Sequence, residues 1–484
     1  MTKIDSQLQQ LQSEIRKRQQ DVTRIFKELS VQNYKAVEIS TFLSKPFVVI
    51  PRGENQWYVV IPKFIDLQIG WLVKQTESYN VFVVDVYSKW LYGIPKAIED
   101  ALDFTEPIPV RVEGDFLKVD PILQDRVFKK YKKFLHRRDG LGTIKIKPKS
   151  RYNLVAELVK DGILPFSPKP VSIEDTIERP IQIELRDYQR EALENFRKYG
   201  SVGIYWMPSA GKTIIGLFIM NMLRGRKLIV VPTLTLVEQW KERIRRYTSI
   251  QSHEYDIITY NSAHKVMSKE YSFTIFDECH HLPANIFSRL ALIKTKYRLG
   301  LSATPYREDG RNELIFALTG FPLGLDWHRL IEVNKTRKPK ARVIITANDL
   351  GKITVLDELL QNSNSKTLIF CDSIAGGKRL ATRYHLKFIY GQSKNRLAAA
   401  QREKVLVISR VGDEGISLED LERVIEFAFL FGSRRQELQR LGRLFHSSFS
   451  GEHIILMTRE EFYLYRKRLF SIYEKGIEVT IEER

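Results

Sequence analysis

Cysteine is almost missing from this chain: Cys279 and Cys371 are the two in 484 residues, each beside an apolar, strand-like run. That excludes a disulfide framework and any metal site built on several thiolates. No apolar stretch approaches the roughly 20 residues that cross a bilayer, and the polar, glutamine-rich N-terminus has no apolar signal core. A soluble protein without a membrane partner is expected, cytoplasmic or, in a eukaryote, nuclear. Acid is also short. Lys and Arg number 77 against 58 Asp and Glu, a formal net charge of +19. The expected partner is a polyanion, with nucleic acid ahead of a membrane surface. The 43% apolar share is ample for several cores, and 484 residues predict two to four domains.

Leu8, Leu11, Ile15, Val22, Ile25 and Leu29 recur at helical spacing among polar residues, so residues 1–32 are expected to form an amphipathic arm. Packing on its own domain is favoured over a coiled-coil arm. Residues 33–165 read as an accessory α+β domain: short β-branched and aromatic runs at 47–50, 57–61 and 81–86, a hairpin over 110–119 turning at Gly114-Asp115, and a helix from 121 to about 137. Pro165, Pro168 and Pro170 mark a linker at 166–180. Beyond Glu184 strand and helix patterns alternate. Strands are expected at 202–206, 228–231, 257–260, 273–276 and 298–302, then at 343–345, 367–370, 388–390, 405–408, 424–427 and 453–457. Two successive βα series predict two α/β domains with doubly wound, mostly parallel sheets, at 181–330 and 331–484. Ligands of such sheets sit beyond the carboxyl ends of the strands.

Two motifs fall at those ends. Ser209-Ala210-Gly211-Lys212-Thr213 follows the first strand of the series. Amides of such a turn face phosphate, Lys212 would reach the β- and γ-phosphates, and the Thr213 hydroxyl would hold Mg2+. Trp206 stands where the full phosphate-loop consensus has its first glycine, so a chance Gly-Lys-Thr at a helix start is the competing reading of the loop alone. Phe276-Asp277-Glu278-Cys279-His280-His281 follows a buried-strand pattern. Phosphoryl transfer needs a metal-holding carboxylate, for which Asp277 fits, and a group that orients water, for which Glu278 fits. A solvated acidic turn is the alternative, and it accounts for neither the preceding strand nor the His pair. ATP and Mg2+ are the expected ligands.

Over much of 181–484 the chain resembles the superfamily 2 helicases and translocases, and among them the XPB family of DNA-repair helicases. Leu185-Arg186-Asp187-Tyr188-Gln189 is similar to the segment whose Gln reads adenine, which gives Arg186 and Gln189 a nucleotide-binding role. Val231-Pro232-Thr233-Leu234 and Thr259-Tyr260-Asn261-Ser262 resemble motifs that contact nucleic acid, implicating Pro232, Thr233 and Thr259. Leu301-Ser302-Ala303-Thr304-Pro305 resembles motif III, so Ser302 and Thr304 are implied in coupling, with His280 and, in the motif V match, Gly415. Arg307-Glu308-Asp309 is similar to an XPB signature. Gln439-Arg440-Leu441-Gly442-Arg443 resembles motif VI, in which Arg440 and Arg443 would approach the triphosphate across the cleft beside Gln439. The family implies two tandem RecA-like domains. It usually has Gly where Ser209 stands, and a helical thumb for which 309–367 leaves little room. A nuclease or a repair assembly is an implied partner.

Between 126 and 151, eleven Lys or Arg face the single acid Asp139, with Tyr131, Phe134 and Tyr152 interleaved. Lys129, Lys130, Lys132 and Lys133 are candidates to neutralise phosphates, with the aromatics stacking a base; a solvated helix face whose aromatics pack inward is the alternative. The leading expectation is an ATP-dependent DNA helicase or translocase. Competing expectations are an RNA helicase, a duplex translocase that does not unwind, and a nucleic-acid-binding scaffold with a vestigial ATP site.

Overall fold

The computed structural model describes residues 13–18, 20–25, 46–53, 55–102, 104, 108–282, 286–303, 306, 311–325, 329, 338–361, 365–393, 396–409, 418, 420–428, 437, 440–446, 451–474 and 476–484. Leu8, Leu11 and Leu29 of the expected arm lie outside these residues. The chain forms two compact units, residues 1–105 with 466–476, and residues 106–465 with 477–484.

The first unit is built on an antiparallel sheet of β1 (Val48–Gly53), β2 (Gln56–Pro62), β3 (Trp71–Gln75) and β4 (Tyr79–Asp85), in the order β1-β2-β4-β3. One face carries Val48, Ile50, Val60, Tyr79 and Val81, and on it lie Val22 and Ile25 of the N-terminal helical residues. Asp21 accepts from the amide of Ser78 at 3.1 Å and fixes that helix to the β3–β4 turn. Of the six residues at helical spacing, Val22 and Ile25 are the two in this core cluster among the described residues. The other face carries Trp57, Val59, Leu72, Phe82 and Val84, against which Phe470 and Tyr473 pack. The amide of Leu72 donates to Glu474 at 2.6 Å, so residues 466–476 are tied to this sheet by both a core and a polar contact.

The second unit begins with another antiparallel sheet of β5 (Val110–Glu113), β6 (Phe116–Val119), β7 (Leu135–Gly140) and β8 (Thr143–Ile146), in the order β5-β6-β8-β7. The β5–β6 hairpin turns at Gly114-Asp115 as expected, with Gly114 at φ 59°. The helix expected to continue to about 137 stops at Lys130, since Leu135–Gly140 pairs with Thr143–Ile146 instead. Its end is set by Tyr131, whose buried ring and hydroxyl, donated to Asp161 at 2.6 Å, turn the chain into the core.

Two parallel sheets follow. The first contains β9 (Ser201–Tyr205), β10 (Lys227–Val231), β11 (Tyr255–Thr259), β12 (Glu270–Asp277), β13 (Lys294–Ser302) and β14 (Phe321–Gly324), ordered β11-β10-β12-β13-β9-β14. The second contains β15 (Lys340–Thr346), β16 (Thr367–Cys371), β17 (Lys387–Ile389), β18 (Val405–Ile408), β19 (Arg423–Ala428), β20 (Glu452–Thr458) and β21 (Val479–Glu483), ordered β17-β18-β16-β19-β20-β15-β21. Their central strands are buried and largely apolar, such as Leu228 to Val231 and Phe273 to Phe276 with its single Thr274, which suits sheets covered by helices on both faces. Among the described residues no helix is long and apolar enough to cross a membrane.

One buried charge stands out in the first parallel sheet. Lys227 opens β10 with no exposed surface, its Nζ 3.8 Å from Glu254, too far for a hydrogen bond. Glu254 is held by both Nη atoms of Arg179, at 2.6 and 3.1 Å, and that pairing lowers its carboxyl to about 2. Burial pushes the Lys227 ammonium down to about 8, with Glu254 offsetting part of it. Between pH 8 and the unfolded value near ~10.4 the unfolded chain keeps a proton that the native one has lost, so stability rises with pH across that window. We therefore expect Lys227→Met to stabilise the fold at pH 7 by about 2 kcal/mol and to remove that rise. Denaturant titrations at pH 7 and pH 10 check this; parallel profiles for the two proteins would contradict it.

Candidate functional site

The strand order of the first parallel sheet explains why distant motifs meet. The chain runs from β9 outward to β10 and β11, then returns through β12 to lay β13 between β12 and β9. The turn after β9 and the acidic run ending β12 therefore flank the end of β13, with Ser302 in register with Tyr205 and Leu301 with Asp277. All three lie at the carboxyl edge, where such sheets bind ligands.

The turn after β9 leads into the helix Lys212–Met222 through Ser209 (φ 70°) and Gly211 (φ 77°), both in the left-handed region. Gly211 is required twice over, because a Cβ there would also lie 2.4 Å from Nε2 of Gln189. Gln189 is buried. It accepts from the amide of Arg186 at 2.9 Å and donates to the carbonyl of Gly211 at 3.2 Å, while Tyr188 donates to the carbonyl of Ala210 at 2.9 Å. The Arg186 guanidinium donates to the Tyr188 hydroxyl at 3.0 Å. The predicted adenine-reading segment thus braces the phosphate loop directly. Lys212 is folded back, its ammonium donating to the carbonyls of Trp206 at 2.9 Å and Met207 at 3.2 Å.

Asp277 is 6% exposed, and its Oδ2 accepts from the indole of the fully buried Trp240 at 2.7 Å. Oδ1 accepts from the amide of Glu278 at 3.0 Å, and Tyr260 donates to the Asp277 carbonyl at 2.9 Å. Burial pushes the Asp277 carboxyl up, opposed by the Trp240 hydrogen bond and then by Lys212. Burial also pushes the Lys212 ammonium down, opposed by Glu278 and Asp277. A ligand of opposite sign would oppose each shift: phosphate beside Lys212, a cation beside Asp277. The Thr213 hydroxyl and the Asp277 carboxylate are oxygen donors of the type Mg2+ prefers. Glu278 takes left-handed backbone angles, φ 46° and ψ 49°, an uncommon conformation held at this turn. His280 Nδ1 lies 2.6 Å from the Ser302 hydroxyl, so a side-chain hydrogen bond also joins the acidic run to the end of β13. Cys279 is a fully buried small side chain.

Sequence reasoning did not identify Arg243, whose Nη1 donates to the Thr213 hydroxyl at 3.2 Å. The signal was present: Arg243 follows Trp240 by three residues on the helix Leu234–Tyr247, so both reach the site from one face. Thr233 caps that helix, accepting from Leu236 at 3.4 Å, with Pro232 half-buried before it. Thr259 ends β11, its hydroxyl 3.1 Å from that of Ser262. Thr304, Arg307, Glu308, Asp309, Gly415 and Gln439 lie outside the described residues.

From the second parallel domain Gly442 closes on the phosphate loop. Ser209 Oγ donates to its carbonyl at 2.6 Å, and a Cβ at Gly442 would come within 2.3 Å of Cβ of Pro208. Arg443 is half-buried in the same segment. Arg440 is directed elsewhere: it is 2% exposed, donates to Glu426 at 2.6 Å and lies 5.0 Å over the Phe370 ring. Glu426 also meets His453 Nε2 at 2.9 Å, with Glu437 3.5 Å from the same nitrogen. In the basic run Lys129, Lys130, Lys132 and Lys133 are exposed, Lys130 pairing with Asp161 at 3.0 Å. Tyr131 is buried and offers no face to a base.

Comparison with known proteins agrees with this architecture. The family model described as ERCC3/RAD25/XPB C-terminal helicase matches residues 324–464, and that of the type III restriction enzyme res subunit matches 182–269 and 250–307. A putative DNA 3'-5' helicase Rad25 of Haloarcula marismortui is 32% identical over 366 residues, covering 64% of this chain and 58% of the relative. The Rad25 of Halobacterium salinarum is 29% identical, with 59% of its length covered, so the chain spans less than two thirds of both. The DNA 3'-5' translocase XPB2 of Sulfurisphaera tokodaii is 29% identical over 385 residues, 60% of this chain and 87% of that protein. Among solved structures, a variant of S. cerevisiae Dbp5 bound to RNA and ADP BeF3 superposes with a TM-score of 0.52 at 16% identity, over 62% of this chain and 90% of that one, which shows the shared fold. Over residues 182–307 and 324–464 the chain matches helicase-type family models; its fold there is that of two tandem RecA-like domains, and in sequence it is similar to the XPB/Rad25 proteins.

Proposed function

We propose that the chain is a DNA-dependent ATPase of superfamily 2 that uses ATP hydrolysis in the cleft between its parallel domains to move on DNA, in repair or related DNA processing. The observation that carries this reading is the set at the carboxyl edge of the first parallel sheet: Lys212 in the turn after β9, Asp277 and Glu278 after β12, and the His280–Ser302 bond spanning to β13. Lys212, released from the loop carbonyls, and the amides of Ala210, Gly211 and Thr213 would hold the phosphates. Thr213 and Asp277 would hold Mg2+, which when bound neutralises charge building up on the phosphate oxygens. Glu278 would orient water and take its proton. Arg440 is engaged inside the second domain, so Arg443 is assigned to face the triphosphate, with Arg440 and Glu426 fixing the segment that carries it. Pro232, Thr233 and Thr259, at neighbouring strand ends, would contact the nucleic-acid backbone. The exposed Lys129, Lys130, Lys132 and Lys133 would add phosphate contacts that weaken with salt. DNA is preferred to RNA because the Rad25 and XPB2 relatives are named for DNA. A relative of Encephalitozoon cuniculi is named as a subunit of general transcription and DNA repair factor IIH, which favours a protein assembly as partner.

ATP turnover measured without nucleic acid, with single-stranded DNA, duplex DNA and RNA tests the assignment. DNA should stimulate the wild-type chain, and Glu278→Gln should cut the stimulated rate at least about 100-fold while retaining nucleotide binding. Stimulation by RNA alone would reject DNA, and undiminished turnover in Lys212→Ala would reject the enzyme.

The bond from Ser209 to Gly442 holds the phosphate loop in a form whose lysine is turned onto its own carbonyls. Removing it in Ser209→Ala costs that form about 1 kcal/mol, so ADP should bind about fivefold more tightly. Calorimetric titration of the two proteins with ADP decides; unchanged or weaker affinity would show that the bond does not oppose nucleotide entry.

A further inference from the structure

At the amino-terminal edge of the first parallel sheet, the end away from the nucleotide site, a cavity of about 450 Å³ opens between that sheet and the small antiparallel sheet of the same unit. Ser201 and Lys296, at the start of β9 and near the start of β13, line one side, and Arg151 and Tyr152 of the helix Arg151–Lys160 line the other. Its size suits a nucleotide-sized ligand. Its charge is one-sided. Arg151, Lys169, Lys296 and Arg298 all contribute to the wall, against the single carboxylate Glu113.

Few of these cations are neutralised. Lys296 pairs with Asp175 at 2.6 Å. The Arg298 guanidinium is buried, stacks over the Tyr152 ring at 4.6 Å, and donates to the carbonyls of Ala291 at 2.9 Å, Ile293 at 3.2 Å and Leu318 at 3.4 Å. Lys169 reaches the carbonyl of Lys296 at 3.3 Å. Arg151 has no ion-pair partner among the described residues. The hydroxyl of Ser167, also in the wall, is buried without a hydrogen-bond partner. Burial and then the repulsion of Arg151 and Lys296 hold the Lys169 ammonium below its ordinary value, which an anion between them would reverse. Several cations around one open cavity match a multivalent anion better than a single carboxylate, and Arg151 presents a fork suited to phosphate oxygens.

We propose that this cavity binds a phosphate ester, gripped by Arg151 and Lys169 with the Ser167 hydroxyl as a further donor. The same chemistry is offered by a free polyphosphate or nucleotide and by a phosphodiester of a nucleic-acid strand. The site is separate from the Lys212 loop and does not depend on the ATPase assignment.

The test titrates inorganic pyrophosphate calorimetrically into the full chain carrying Lys212→Ala, which weakens phosphate binding at the loop. Adding Arg151→Ala and Lys169→Ala should weaken the remaining binding by about 100-fold, roughly tenfold per charge-assisted contact removed, whereas Lys169→Arg should retain it. Circular dichroism and a thermal melt confirm that the variants fold. Lys169 is solvent-exposed, so its single Ala variant, with about a tenfold loss expected, serves if the combined variant does not fold. A 12-nucleotide single strand is then added: competition that depends on Lys169 assigns the site to nucleic-acid phosphodiesters, and failure to compete assigns it to a free anion. Absent pyrophosphate binding in the Lys212→Ala chain, or binding indifferent to Arg151 and Lys169, overturns the proposal.

Discussion

The structure turns on two opposite charges, Lys212 and Asp277, buried at the carboxyl edge of one sheet and satisfied by neutral dipoles. The ammonium rests on two carbonyls of its own loop, and the carboxylate on an indole and an amide. An isolated ion in such surroundings costs many kcal/mol, so every dipole that replaces water must be held in place. That requirement accounts for much of the sequence around it. Trp240 is fully buried because its Nε1–H is the main neutral donor to Asp277. Gly211 is glycine because the loop must turn left-handed beneath the Gln189 amide. Tyr188, Gln189 and Tyr260 each spend a polar group on the backbone that shapes the site. Charges held in this way are already desolvated, so a ligand of opposite sign gains their attraction without first displacing water from them.

Much of this was legible in the sequence because it follows from local rules. The parallel strands announce themselves as apolar runs, and the motifs sit where such strands end. The elements that escaped notice are those whose partners are distant in sequence. β7 reads as a charged helical continuation, His136-Arg137-Arg138-Asp139, and becomes a strand only because Thr143–Ile146 offers a ladder. β14 and β21 are edge strands, and short exposed runs such as Val479–Glu483 acquire β structure from β15 alone. The surroundings of Arg440 were hidden for a related reason. Motif spacing fixes its place in the chain, but its direction is decided by Glu426 on β19 and His453 on β20, which no local pattern links to it. Gln189 shows the converse: its position was evident, while its role as a brace for Gly211 needed the fold.

The contact between the parallel domains is equally economical. Gly442 lies so close to Pro208 that any side chain would part them, and the Ser209 bond is made to its backbone carbonyl. On the Gly442 side this contact has no side-chain rotamer to vary. It therefore reports directly on the distance between the phosphate loop and the segment carrying Arg443. Arg396, whose Nη1 donates to Thr235 at 3.2 Å, adds a second link from the second domain to the helix that supplies Trp240 and Arg243. Opening the cleft must break both.

Four buried cations of the two parallel domains fall into two groups. Arg440 and Lys352 end on carboxylates, Glu426 at 2.6 Å and Glu461 at 2.5 Å, and their fields are cancelled locally. Lys212 and Arg298 donate to carbonyls, whose dipoles satisfy hydrogen bonds without removing the charge, with Asp277 and Glu278 offsetting part of it at Lys212. The first group lies in packed interior; the second lies at the two ends of the first parallel sheet, one beside the phosphate loop and one in the wall of a cavity. A charge solvated by dipoles alone still projects a field into any adjoining space of low dielectric. Structural stability does not need that arrangement, since a carboxylate would serve it better, as at Arg440. An uncancelled cation facing an opening is what attraction of an anion requires. The net charge of +19 is thus less informative than the few positive groups the fold declines to neutralise.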